Sequence, residues 1–258
     1  IALVALFGHY EYGKVDTCVP VLIVIAGDYI LRWWLIARSG EARVESITRI
    51  TMPANAGDVV KLEISHPRIK VDEPGQYCFL RIGQLGHYQW HPFSVASTPK
   101  YAEDTKKASG HNGDGRYHFV VFVRDFGDWS GELVRNGPDL LAPVDSKLAP
   151  IGLDGMYGRI AVPFESYGGV VLVCGGIGCT PMFAVLMHLA QIETAHATMR
   201  RVTLVWSFRE LELVSAFAQE LRAASALGWN LMLHHTTAGT LPRGAEGDSG
   251  AKIISSTS

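Results

Sequence analysis

The sequence has 258 residues, enough for two soluble domains of ordinary size. Its formal net charge is −2 at pH 7, so no basic surface calls for nucleic acid, and no nucleic-acid-binding motif is present. Cys18, Cys78, Cys174 and Cys179 have neither zinc-type spacing nor the pattern of a disulfide framework, and read as small buried side chains in a reducing compartment.

The first predicted element runs from Val19 to Ile36 and is almost wholly apolar. As a helix it would extend roughly 27 Å, close to the thickness of a bilayer core. Asp28 and Arg32 are the exceptions. They lie one helical turn apart and can pair, which offsets a cost of about 2.5–3.5 kcal/mol for each charge at mid-membrane. Arg38, Arg43 and Arg49 follow the span, whereas Glu11, Asp16 and a single Lys14 precede it, so the bulk of the chain is predicted to be cytoplasmic. Ile1–Phe7 is apolar without an initiating Met and reads as the tail of an earlier span. A buried amphipathic helix is the alternative for Val19–Ile36.

From Ala42 to about Val123 short runs alternate with period two. Val44-Ile47-Ile50, Val59-Val60-Leu62-Ile64, Tyr77-Phe79-Leu80-Ile82 and Tyr117-Phe119-Val121-Val123 read as strands of a small antiparallel barrel. Lys100–Gly115 is polar and glycine-rich and reads as a loop. After about Val162 strands and helices alternate. Val170–Val173 is an unbroken apolar run, as in a buried parallel strand. Thr180–His196 carries Met182, Val185, Leu186, Leu189 and Ile192 on one helical stripe. Val202–Phe208 is a second strand, Val214–Leu221 a second helix and Trp229–Thr237 a third strand, which together make half of a doubly wound α/β fold. Ala238–Ser258 shows no clear further strand-helix unit.

Three segments carry chemistry. In His91-Pro92-Phe93-Ser94, Pro92 cannot donate to a ladder and belongs at a sheet edge, where backbone groups stay free for a ligand. Arg124-Asp125-Phe126-Gly127-Asp128-Trp129-Ser130 ends a strand and opens a helix with Asp128 as its N-cap; free amides at such a start form an anion site. Gly175-Gly176-Ile177-Gly178-Cys179-Thr180-Pro181 allows a tight turn close to a pyrophosphate, with Thr180 predicted as N-cap and Pro181 at the first helical position. At the end of the second strand, Arg209 is placed to meet a 2′-phosphate, and Glu210 an unphosphorylated ribose. His234 and His235 are strand neighbours facing opposite ways, so they cannot ligate one ion together.

These segments in this order resemble the dehydrogenase region of the NADPH oxidase and ferric reductase family, a branch of the ferredoxin-reductase-type flavoproteins. The family's His-Pro-Phe-(Ser/Thr) strand corresponds to His91–Ser94 and Pro74-Gly75-Gln76-Tyr77 lies upstream. Its Gly-Asp-Trp-Thr segment corresponds to Gly127-Asp128-Trp129-Ser130, and its Gly-x-Gly-x-Thr-Pro turn to Gly176–Pro181. Asp154-Gly155-Met156-Tyr157-Gly158 resembles the family's Asp-Gly-Pro-Phe-Gly with two substitutions.

The resemblance implies a transmembrane stub over residues 1–40, an FAD-binding β-barrel over 41–162 and an NADPH-binding α/β domain over 163–258 that is incomplete at its C-terminus. Gln76, Tyr77, His91, Pro92, Phe93, Ser94, Gly127, Asp128, Trp129 and Ser130 would hold FAD. Gly175, Gly176, Gly178, Thr180, Pro181 and Arg209 would hold NADPH. Electrons would pass from NADPH through FAD to a haem in a membrane portion upstream, then to oxygen, or to a ferric chelate in the reductase alternative. Family members continue to a Cys-Gly segment and an aromatic residue over the flavin, which nothing after Thr237 matches. The implied partners are the lipid membrane, NADPH and the terminal acceptor; regulatory cytosolic subunits are left open. A soluble flavin or cytochrome reductase and a catalytically silent membrane-anchored binding module are the other readings.

Overall fold

Helix α1 (Val15–Ser39) takes in the apolar stretch and forms a unit of its own. In this computed structural model, residues 15–39, 42–53, 56–86, 89–96, 116–140, 151–196, 201–236 and 252–255 are described; the Lys100–Gly115 loop lies outside them. Val21, Ile23, Val24, Ile30 and Trp33 on α1 are exposed. Among the described residues no helix is long and apolar enough to cross a membrane, so the spanning segment read from the sequence is not shown. Gly27 and the exposed Asp28 interrupt the apolar run midway.

The rest of the chain, Glu41–Ser258, packs as one compact unit. Its elements in order are β1 (Arg43–Ile50), β2 (Val59–His66), β3 (Tyr77–Ile82), β4 (His91–Ser94), β5 (Tyr117–Arg124), α2 (Asp128–Leu140) and β6 (Ile151–Tyr157). There follow β7 (Gly169–Gly175), α3 (Thr180–His196), β8 (Arg201–Phe208), α4 (Leu211–Ala216), α5 (Ala218–Ala226), β9 (Asn230–His235) and β10 (Lys252–Ser255).

The closed barrel expected for the first half is instead two three-stranded antiparallel sheets, ordered β1-β2-β5 and β4-β3-β6. Strand β4 pairs with β3 for only four residues. Just beyond it the chain crosses to the other sheet, through a bridge between Val95 and Val121 and a bond from the Ala96 amide to the Val120 carbonyl (2.8 Å). The sheets face each other across a core that includes Val60, Leu62, Ile64, Cys78, Leu80, Phe119, Val121 and Leu153. The opposite face of β2 and β5 is buried as well: Val59, Val120 and Phe122 join Phe183, Trp206 and Phe217 in a second core. Burial on both faces explains why β5 is apolar at every position from Phe119 to Val123 rather than alternating.

Strands β7, β8, β9 and β10 are parallel and lie in chain order. A right-handed crossover that always advances the same way leaves its helices on one face. Accordingly Leu172, Leu204, Trp206 and Leu231 are buried on one side, whereas Val171 and Val173 on the other are 66% and 68% exposed. The two-sided winding expected from the sequence is therefore absent among the described residues, because the strand order never reverses. Strand β10, within a stretch where no further unit was expected, adds a fourth strand beside β9.

Candidate functional site

Three segments far apart in sequence meet at a cleft of about 540 Å³. Strand β4 supplies His91, Pro92, Phe93 and Ser94; the end of β5 and the entry to α2 supply Phe122, Arg124 and Phe126–Ser130; and the turn into α3 supplies Ile177, Gly178, Thr180 and Pro181. As an edge strand paired only with β3, β4 can carry Pro92 without losing a needed ladder bond.

Alternation along β4 turns His91 and Phe93 to the same side, where the Trp129 indole stacks on both, with ring centroids 4.3 and 5.9 Å apart. Trp129 therefore packs, as its size suggests, but it also brings an indole N–H into the site. That Nε1 and the His91 Nε2 are buried with no hydrogen-bond partner among the described residues. Desolvation holds the His91 pKa below the ordinary imidazole value, so the ring is neutral at pH 7 and offers one donor and one acceptor. Buried polar atoms are costly without partners, so this pair fits a ligand with a polar edge.

The turn into α2 is closed by Ser130, whose hydroxyl accepts from the Phe126 amide (3.0 Å) and donates to the Gly127 carbonyl (3.4 Å). It shapes the loop and is not a free donor. Just before this turn, the Arg124 guanidinium donates twice to the Ala56 carbonyl, lies 5.6 Å from the Phe126 ring centroid and reaches Glu210 at 2.6 Å.

In the third segment Gly175 is extended, Gly176–Cys179 forms a single 3₁₀ turn, and α3 continues from it. Thr180 is helical rather than extended, and its hydroxyl donates back to the Ile177 carbonyl (2.8 Å). The N-cap role expected for Thr180 thus falls to Gly175, because the glycines let the helix begin a turn earlier. Gly176, at φ +47°, takes a conformation that favours glycine, and its carbonyl accepts from the buried Trp206 Nε1 (3.0 Å). Gly127 and Gly178 have open space where a Cβ would stand. No described neighbour crowds these two positions, so they leave room for close approach of a ligand.

Five residues expected at the site do not line the cleft. Gln76 is buried, with its carbonyl oxygen accepting from the Asp72 and Glu73 amides (2.9 and 3.2 Å) and its amide donating to the Gly158 carbonyl (3.4 Å). It ties the turn before β3 to the segment after β6. Tyr77 lies in an outward aromatic group with Phe79 and Tyr157. Gly175 and Gly176 shape the turn from behind. Arg209 is exposed at the end of β8, and its carbonyl accepts from His235 Nε2 (2.8 Å). Conversely, sequence reasoning gave no role to Phe122, Arg124, Phe126 or Ile177. For Arg124 there is a signal: a single charge closing a strand that is apolar from Phe119 to Val123.

An antiparallel two-sheet half followed by a parallel α/β half, with a cleft between them, is the ferredoxin-reductase-like FAD/NAD fold. Two solved structures share it: the flavohaemoglobin-like FAD/NAD-binding domain of nitric oxide dioxygenase from Vibrio cholerae (TM-score 0.51, 16% identity, 84% of this chain and 86% of that one), and a ferredoxin-NADP+ reductase mutant from Plasmodium falciparum (TM-score 0.52, 13% identity, 76% and 72%). Residues 44–134 match the family model of an FAD-binding domain, and residues 167–252 that of the ferric reductase NAD-binding domain. The chain is 27% identical to ferric reduction oxidase 7 of Arabidopsis thaliana over 81% of its length. It is 30% identical to respiratory burst oxidase homolog protein A of Solanum tuberosum over 70%. The chain thus carries an FAD-binding domain followed by a ferric reductase NAD-binding domain, and its homologues are ferric reduction oxidases and respiratory burst oxidases. It spans 27% and 18% of the lengths of those two relatives.

Proposed function

We propose that this chain is the dehydrogenase region of a membrane-bound flavoprotein that carries electrons from NADPH through FAD to a transmembrane haem and on to oxygen. The observation that supports this most is the meeting of β4, the entry to α2 and the turn into α3 at one cleft. Residues 41–162 would form the flavin-binding part and 163–258 the nucleotide-binding part. His91 Nε2 and Trp129 Nε1 would gain polar partners from FAD, and the open positions at Gly127 and Gly178 would admit diphosphate groups. Ser94 and Pro92 would border the flavin ring from the β4 edge, while Asp128, Thr180 and Pro181 keep the two helix starts in place. Arg209 would take the 2′-phosphate. When bound, the cofactors supply hydride transfer and single-electron release; the protein supplies orientation and exclusion of water.

The exposed apolar side chains of α1 would lie against lipid, with the cleft on the cytoplasmic side. A ferric-chelate reductase is the second reading, favoured by the similarity to ferric reduction oxidase 7. Both readings share the flavin step. The full chain, incubated with FAD and desalted, should keep a flavin absorbance band that is lost when His91→Ala and Ser94→Ala are combined. A folded wild-type chain that keeps no flavin would overturn the proposal.

A further inference from the structure

In α/β dinucleotide folds, an acidic side chain just after the second strand accepts from the ribose 2′-hydroxyl, and that acceptor favours the unphosphorylated cofactor. Glu210 holds the corresponding position, two residues past the end of β8, yet it does not face the ribose edge. It is buried, and its carboxylate meets the Arg124 guanidinium at 2.6 Å, with side-chain exposures of 7% and 13%. The arginine comes from β5, in the other half of the molecule. It is held there by two bonds to the Ala56 carbonyl and by the Phe126 ring beneath it. Glu210 has extended backbone (φ −108°, ψ 122°), so turning it inward presents its neighbour Arg209 outward.

We infer that Arg124 sets the nucleotide preference of the opposite half by holding Glu210 away from the adenosine ribose, which leaves Arg209 as the charge that meets the 2′-position. Arg124 is thus a positioning residue for specificity. The argument is electrostatic. An unpartnered charge is costly at this depth. Deprived of Arg124 it turns towards solvent, at the ribose edge, where it repels a 2′-phosphate and accepts from a 2′-hydroxyl. The inference rests on the proposed reading that a nicotinamide dinucleotide binds at the end of β8.

The test compares dissociation constants of NADPH and NADH on the full chain by calorimetry, with flavin retention and thermal melting recorded for each variant. In Arg124→Met the NADPH preference, expressed as the ratio of the two constants, should fall about tenfold, the scale of one charge-assisted contact. Adding Glu210→Gln to Arg124→Met should restore the ratio, because the freed group no longer carries charge. If Arg124→Met fails to fold, Glu210→Asp is the substitute: one methylene shorter, it releases the contact and should shift the ratio the same way. Equal weakening of both nucleotides, or a ratio that the double variant leaves low, overturns the inference and makes the pair a scaffold contact. A folded wild-type chain that binds neither nucleotide overturns the nucleotide-site reading itself, and this inference with it.

Discussion

A Cβ added to Gly57 would stand 2.9 Å from the backbone carbonyl oxygen of Asp125. The turn at residues 56–58 therefore lies directly under the end of β5, and the Asp125 amide donates to the Asp58 carbonyl at 3.0 Å. Asp58 is itself held by Arg49 (2.8 and 2.6 Å) and accepts from the Met52 amide (2.8 Å). Because the Ala56 carbonyl anchors Arg124, this turn sets the height at which the guanidinium enters the cleft.

Gly57→Ala should cost about 2–3 kcal/mol, combining left-handed backbone strain of about 1–2 kcal/mol with the displacement that the contact at Asp125 demands. Gly57 has φ +62°, so the strain is present even if the neighbour yields. Urea unfolding followed by tryptophan fluorescence measures the loss. An unchanged midpoint would show that the turn relaxes freely.

His91 predicts a pH dependence. Burial lowers its pKa from the ordinary value of 6.5, so the unfolded chain takes up this proton at a higher pH than the folded one. Its contribution to stability is complete above about pH 6.5 and is lost as pH falls through the folded-state value. The urea midpoint of the cofactor-free chain should therefore drop between pH 7 and pH 5, and His91→Gln, which does not titrate, should reduce that drop. A drop of equal size in the variant would assign it to other groups.

Much of this was legible because burial writes a period into the sequence. β3 and β8 alternate throughout and β2 does from Val60 to Ile64, and these strands and β1 are placed by the sequence within two residues of their observed ends. β6 was missed as a strand because it contains Gly152 and Gly155; a Cβ on Gly152 would come within 2.8 Å of the Trp90 ring. The single helix read after β8 is two, since the chain breaks at Phe217 to stack that ring on Phe183 at 4.4 Å. Gln76 is expected at the flavin as part of the Pro74-Gly75-Gln76-Tyr77 segment, but in the structure its side-chain amide is engaged by backbone groups of Asp72 and Gly158. Arg124 was passed over for another reason. Its partner Glu210 is 86 residues away, and a pair contact at that separation leaves no periodic trace.

Arg209 predicts cofactor choice. It is exposed at the end of β8 beside a Glu210 that faces inward, so its positive charge is the one presented there. Arg209→Ala should weaken NADPH binding roughly ten- to a hundredfold, the range of one or two charge-assisted hydrogen bonds, and leave NADH nearly unchanged. Equal loss for both nucleotides in calorimetry would mean that the side chain supports the fold and does not select the phosphate.

Within the proposed function the terminal acceptor is the remaining choice, and the cleft described above is a poor place to look for it. The residues around the cleft would serve an oxidase and a ferric reductase alike, since both proposed readings pass electrons to haem before their products diverge. Relatives of both kinds match the chain at similar identity, 27% for ferric reduction oxidase 7 and 30% for the potato respiratory burst oxidase homolog A. In the proposed reading, discrimination comes from chemistry at the far side of the membrane. The natural protein, reconstituted in liposomes with FAD and haem and supplied with NADPH in oxygen, should reduce external cytochrome c in a reaction that superoxide dismutase suppresses. Without oxygen that signal should vanish, and a ferric chelate should be reduced slowly. If dismutase has no effect and ferric chelate is reduced as fast under argon as in air, the acceptor is iron, and the oxidase reading gives way to the reductase one.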